Sequence, residues 1–211
     1  MKIKETINTK IGDLWIMSDL HYAHENVIKF DKRPFTSVQK MNEYIESELV
    51  KKIKPTDTLI DLGDMFWKCD MKVINGVLDK ISPRRFYKIL GNHDKESVYA
   101  KNPKFDMVAD RFEVGVRHND KDYFLVLDHY PIISWNAKPR GAIMVHGHTH
   151  GNIDGFNNNS PDLRVDAGFY GELAKKTGSF ILNFTDILKF VVEKAKTENL
   201  KKYTLDNCPE L

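Results

Sequence analysis

An α/β fold on a largely parallel sheet is what this sequence predicts, and three observations predict it. Short apolar runs at 14–17, 58–62 and 85–90 alternate with segments of helical periodicity, the pattern that puts crossover helices between parallel strands. Each run gives way to polar residues or a glycine, so carboxylates, amides and imidazoles collect beyond the carboxyl ends of strands, where such sheets form ligand sites. The third observation is bulk: 211 residues, 41% hydrophobic and 29% charged, suit one soluble domain, 1–211, that buries its core without staples.

In order, Leu14-Trp15-Ile16-Met17 is the first strand and runs into Ser18-Asp19-Leu20-His21. Asp19 and His21 are two apart, so a continuing extended backbone sends both side chains to one face. A short helix opens at His24-Glu25-Asn26-Val27-Ile28, and Asp31-Lys32-Arg33-Pro34-Phe35 is loop. Ser37 is placed to cap a helix on which Met41, Tyr44, Ile45, Leu49 and Ile53 recur at helical spacing up to Pro55. The second strand breaks at Gly63-Asp64, and Asp61 within it reads as a strand residue rather than a ligand. Val73, Val77 and Ile81 space a further helix before the third strand, which ends in Gly91-Asn92-His93-Asp94.

From residue 111 the pattern turns to β structure. Strands at 111–116 and 123–127 flank His118-Asn119-Asp120, read as a hairpin turn with His118 on the surface. The second of these ends at Asp128-His129-Tyr130-Pro131, and Ala142-Ile143-Met144-Val145 leads into His146-Gly147-His148-Thr149-His150. Alternate imidazoles there point one way along an extended chain, with His146 the one that reads as core. The Gly- and Asn-rich stretch 151–161 is expected to be a mobile loop beside the site. Residues 185–196 form a terminal helix with Ile187, Leu188, Val191 and Val192 inward.

Seven of the eight histidines fall at these strand ends or just after the first. With Asp19, Asp64 and Asn92, the imidazoles of His21, His129, His148 and His150 make more donors than one ion takes and suit two. Imidazole richness argues against magnesium and calcium and toward manganese first, with iron, zinc, cobalt or nickel also suited. Two divalent ions leave the centre cationic, which calls for an anionic substrate. Phosphate ester hydrolysis needs both an activated solvent molecule and charge neutralisation.

Asp19-x-His21, Gly63-Asp64, Gly91-Asn92-His93-Asp94, His129 and Gly147-His148-x-His150 resemble, in order, the five blocks of the calcineurin-like metallophosphoesterase superfamily. The run 18–28 with Arg33-Pro34-Phe35 is similar to a compact bacterial and phage-type subgroup, and the resemblance covers residues 11 to 195. It implies a four-layer α/β/β/α sandwich, two mixed sheets face to face with helices outside. It also implies one ion on Asp19, His21, Asp64 and His150 and another on Asp64, Asn92, His129 and His148, with Asp64 bridging. In the same resemblance a bridging hydroxide attacks phosphorus and His93 is the general acid, a role its titration range suits. Asp94 either orients His93 or caps a helix, and His24 and Arg33 are candidate contacts to substrate phosphate.

Met65-Phe66-Trp67-Lys68 lacks the arginine that phosphoprotein phosphatases of the superfamily carry after Gly-Asp, and Asp94 stands where they have Glu, which disfavours a protein phosphatase. The segment 164–171 faintly resembles the late Asp-x-Gly segment of dinucleoside polyphosphate hydrolases. A phosphorylated small molecule or nucleotide is the expected substrate. The alternatives are a nuclease on DNA or RNA, with Lys101, Lys104 and Lys138 as assisting cations, and a non-catalytic metal-binding scaffold. A net charge of +2 offers no basic field for nucleic acid. No stretch reaches membrane-spanning length, and Cys69 and Cys208 form no framework, so a reducing cytoplasm is the expected setting.

Overall fold

The computed structural model describes residues 6–196; residues 1–5 and Cys208 lie outside them. The chain runs through β1 (Ile7–Asn8), β2 (Leu14–Met17), α1 (Glu25–Phe30), α2 (Val38–Lys52), β3 (Thr58–Asp61), α3 (Met71–Leu78), β4 (Arg85–Ile89), α4 (Glu96–Tyr99) and β5 (Met107–Ala109). It continues through β6 (Arg111–His118), β7 (Lys121–Asp128), β8 (Ile143–His146), α5 (Asp154–Asn158), β9 (Arg164–Asp166), α6 (Glu172–Thr177), β10 (Leu182–Asn183) and α7 (Phe184–Lys196). Two five-stranded mixed sheets result, ordered β10-β2-β3-β4-β5 and β1-β6-β7-β8-β9, with helices flanking them.

In the first sheet β2 through β5 are parallel, because each passes to the next through helix, and β10 joins antiparallel at the β2 edge. In the second, β6 and β7 form the one long hairpin and β7, β8 and β9 are parallel. Strand alternation sorts the core. Leu14, Ile16, Ile60, Tyr87 and Ile89 pack against Phe112, Val114, Leu125, Leu127, Ile143 and Val165 between the sheets. Met17, Leu59 and Phe86 point the other way, onto Met41, Ile45 and Leu49 of α2 and Ile74, Val77 and Leu78 of α3. Ser37 caps α2 by accepting the N–H of Lys40, and Ile187, Leu188, Val191 and Val192 of α7 are buried as their spacing requires.

Four readings need correction. In α3, Asp70 caps the helix and sets a register that buries Ile74 and leaves Val73 41% exposed. His118 is not in the turn: β6 and β7 pair through His118 and Lys121, and the two-residue turn is Asn119-Asp120, both at positive φ, as a tight hairpin of this hand requires. The His118 ring instead sits 2.9 Å from Thr9 Oγ1 and edge-on to Phe184. The 151–161 stretch contains α5, whose Asn157 is buried between His146 and Arg164. Lastly, the extended backbone does not persist beyond β2 or β8. Asp19, His21, His148 and His150 all lie at positive φ, so turns, not pleat alternation, aim them.

Candidate metal centre

Strands β2, β3 and β4 of one sheet and β7 and β8 of the other deliver their following loops to one place. Asp19, His21, Asp64, Asn92, His129, His148 and His150 meet there. Left-handed backbone is sparsely populated for non-glycine residues, yet Asp19, His21, Asp64, His148 and His150 adopt it, the concentration of strain expected where side-chain aim outweighs local preference. Two glycines are required by proximity. A Cβ on Gly91 would lie 2.1 Å from Asp64 Oδ1, and one on Gly147 would lie 2.4 Å from Asp19 Oδ2.

The donors form two groups. In the first, His150 Nε2 lies 3.2 Å from His21 Nε2 and 3.6 Å from Asp19 Oδ1. In the second, Asn92 Oδ1 lies 2.9 Å from His129 Nε2 and 2.8 Å from His148 Nδ1, and Asp64 Oδ2 is 3.5 Å from His129 Nε2. Asp19 belongs to both, since it also comes within 4.8 Å of ligand atoms of Asp64 and His129. The spare carboxylate oxygens are tied back: Asp19 Oδ2 accepts the N–H of His148 (2.8 Å) and Asp64 Oδ1 that of His93 (2.9 Å).

Proton bookkeeping tests whether these donors fit cations. His129 Nδ1 faces the Leu62 carbonyl at 3.0 Å, so its single proton belongs there and Nε2 turns a lone pair on Asn92 Oδ1 and Asp64. Burial drives the His129 pKa down to about 4, which keeps the ring neutral. His150 Nδ1 likewise faces the Asp31 carboxylate at 2.9 Å, turning Nε2 toward His21. Burial, with the neighbouring His150, lowers His21 to about 2. Asp19 Oδ1 is buried with no hydrogen-bond partner. Burial lifts the pKa of Asp19 to about 7 against the attraction of His150, and lifts Asp64 to about 7 with help from Asp94 and Asp61. Carboxylate, amide and imidazole donor atoms converge here, one carboxylate oxygen without any partner, an arrangement that divalent cations relieve, so the residues fit them.

His93 stands exposed at the rim, its ring edge-on to Trp67 at 4.6 Å and 5.6 Å from His21. Burial lowers its pKa below 6.5, while the Asp94 charge opposes the shift. His24 stacks flat on Trp67, centroids 3.9 Å apart. Two sequence expectations are corrected. Arg33 does not face substrate: its buried guanidinium donates to the carbonyls of Leu20 (2.7 Å) and Asp19 (3.0 Å) and to Asp31, and packs on Phe169. Asp94 does not cap α4, whose N-cap is Lys95, and among the described residues no hydrogen bond joins Asp94 to the His93 ring. Its Oδ2 accepts from Lys88 Nζ (2.6 Å) and from the N–H groups of Asp64 (2.9 Å) and Gly91 (3.0 Å), latching two ligand loops together. His146, read as core, is buried between the Gly147 carbonyl and Asn157.

Two supporting residues, Lys88 and Asp31, escaped the sequence reading, and a third, Asp166, figured there only within the Asp-x-Gly resemblance. Lys88, fully buried in β4, also bonds Asp61 at 2.6 Å; its one visible signal is a charge inside the apolar run Phe86-Tyr87-Lys88-Ile89-Leu90. Asp166 accepts from Thr149 Oγ1, Gly151 N and Gly168 N and so shapes the loop bearing His148 and His150. Asp31 had no signal beyond standing two residues before Arg33. Among the described residues no helix is long and apolar enough to cross a membrane.

Comparison with known proteins adds three findings. A model described as the calcineurin-like phosphoesterase superfamily domain matches residues 13–182. An uncharacterized protein of Methanocaldococcus jannaschii is 29% identical over 140 residues, 66% of this chain and 70% of that one. A crystal structure of a protein of unknown function from Aquifex aeolicus superposes with a TM-score of 0.61 at 25% identity, covering 84% of this chain and 98% of that one.

Proposed function

This chain belongs to the calcineurin-like phosphoesterase superfamily, and from that premise we propose that it hydrolyses phosphomonoesters or phosphodiesters, nucleotides included, with two divalent ions, manganese first among them. One observation carries the reading. Donor atoms of His21, His129, His150, Asn92 and the unpartnered Asp19 Oδ1 converge beside an exposed imidazole, His93.

Asp19, His21 and His150 would hold one ion and Asn92, His129 and His148 the other, with Asp64 between them. Bound, the ions supply Lewis acidity toward solvent and neutralise phosphoryl oxygens. The protein's own part is positioning and proton transfer. A solvent oxygen bonds phosphorus opposite the departing oxygen, the bond to that oxygen breaks with its electron pair, and His93 gives the proton that makes it a hydroxyl; the solvent's spare proton leaves to bulk. His93 is exposed where a departing oxygen can reach it, and Asp94 holds the backbone that carries it.

The nuclease reading gains no support from Lys104 and Lys138, which pair with Asp79 and Asp162. A scaffold role is disfavoured by the exposed acid. A reducing, cytoplasmic setting remains part of the proposal.

The test is to load the protein with manganese, count ions and assay aryl monoesters, aryl diesters, cyclic nucleotides, dinucleoside polyphosphates and single-stranded DNA. About two ions per chain and turnover of at least one ester class are expected. His93→Ala should slow turnover by about 10² to 10⁴ with ion content unchanged. Protein that retains no ions after loading refutes the reading.

A further inference from the structure

Next to Asn92 and His93 opens a cleft of about 520 Å³, a size that takes a small organic ligand. Its aromatic lining is the partly exposed Trp67 with the buried Phe66 and Tyr99, and Lys68, Lys95 and Asp94 also line it. Trp67 is held in place: His24 stacks on it at 8° to its plane, and its ring meets His93 edge-on. The Lys68 ammonium lies 5.0 Å from the Trp67 ring centroid, and its charge is among those acting on His93. The cleft thus combines an aromatic surface with two exposed cations, immediately beside the group assigned the departing oxygen's proton, while its Asp94 carboxylate is already paired with Lys88.

An acid and the oxygen it protonates must come within hydrogen-bond reach, so whatever leaves the phosphorus lies on the His93 side, in this cleft. Resting on the role proposed above for His93, we infer that the departing group is a nucleotide, its base against the aromatic wall of Trp67 and its own phosphate between Lys68 and Lys95. A small alkyl alcohol would leave the aromatic wall unfilled, and an uncharged aryl alcohol would leave both ammonium groups without an anion. Planar bases stack on aromatic side chains whatever their sequence identity. The substrates that follow are phosphodiesters or phosphoanhydrides joining a nucleotide to a second phosphoryl group.

Calorimetric binding of the nucleotide product to manganese-loaded protein tests this without turnover. AMP or UMP should bind about tenfold or more tighter than ribose 5-phosphate, which lacks a base, and than the matching nucleoside, which lacks a phosphate. Trp67→Ala should erase the advantage over ribose 5-phosphate while keeping that over the nucleoside, and a Lys68→Ala, Lys95→Ala double variant should do the reverse. Both lysines are exposed, so the double variant keeps its fold even where Trp67→Ala does not, and Trp67→Phe tests the wall more gently. Nucleotides binding no better than ribose 5-phosphate, or an unchanged pattern in the lysine variant, would overturn the inference. An active esterase lacking the pattern defeats the cleft assignment alone, and the pattern in a protein without esterase activity defeats the proposed reaction alone.

Discussion

Behind His150 stands a carboxylate; behind His129 stands a backbone carbonyl. The two halves of the candidate centre use the same imidazole donors, yet Asp31 faces His150 Nδ1 at 2.9 Å whereas Leu62 O faces His129 Nδ1 at 3.0 Å. The protonation consequences are opposite. Burial alone would lower His150, but the Asp31 hydrogen bond and the Asp19 and Asp31 charges lift it above 6.5, whereas burial takes His129 down to about 4. Backing carboxylates raise the basicity of a ligating imidazole, so the His150 half should hold its ion more tightly. The His129 half is organised differently, by an ion cluster across strands in which Lys88 pulls Asp61 and Asp94 together beneath Asp64 and Asn92. One half is tuned by a carboxylate reaching in from the loop after α1, the other braced by charge between neighbouring strands.

Replacing the carboxylate proposed to lie between the two ions should have the largest effect. Asp64→Asn is expected to reduce ion content from about two to one or fewer per chain and turnover by about 10³ or more, measured by elemental analysis and initial rates. Full occupancy in that variant would mean the halves are independent. The next largest effect falls on the braced half: Lys88→Met leaves two buried carboxylates without their cation, a loss of about 3–5 kcal/mol in denaturant unfolding. Asp31→Asn should weaken only the His150 half, about 10- to 100-fold in affinity for one ion with the other unchanged, as read by titration against a chelator. Equal weakening of both ions would erase the distinction drawn between the halves.

The smallest effect is a pH dependence of the metal-free protein. Folding lifts Asp64 from its ordinary 3.8 to about 7, so between those values the folded chain keeps a proton that the unfolded chain releases. Its stability therefore falls as pH rises through that window and levels off above it. Asp64→Asn removes this term. In chelator, the melting temperature of the variant minus that of the parent should climb by a few degrees from pH 4 to pH 7 and then flatten. A flat difference across that range would show that Asp64 is not electrostatically frustrated without its ion.

Much of this was legible in the sequence because the signals are local. Strand ends announce themselves where apolar runs stop, as at Met17, Leu62 and Leu90, and the polar residues that follow were the ones brought together. The reasoning from alternation was less secure: Asp19 with His21, and His148 with His150, converge although their backbones leave the extended region. Arg33 was misread because a loop arginine in sequence gives no hint that two carbonyls and a carboxylate wait for its guanidinium.

The division has a physical cause. Periodicity and chain-breaking residues are properties of neighbours along the chain, so the sequence by itself determined the order of strands and helices and which residue types would stand at the sheet's ligand-bearing edge. Which imidazole is backed by Asp31 rather than by a carbonyl, that Lys88 rather than a ligand takes up Asp94, and that Trp67 walls a cleft beside His93 depend on contacts between segments from about 6 to 119 residues apart. Only the packing of one sheet on the other brings those partners within a few ångströms, and only there does burial make their charges interact strongly.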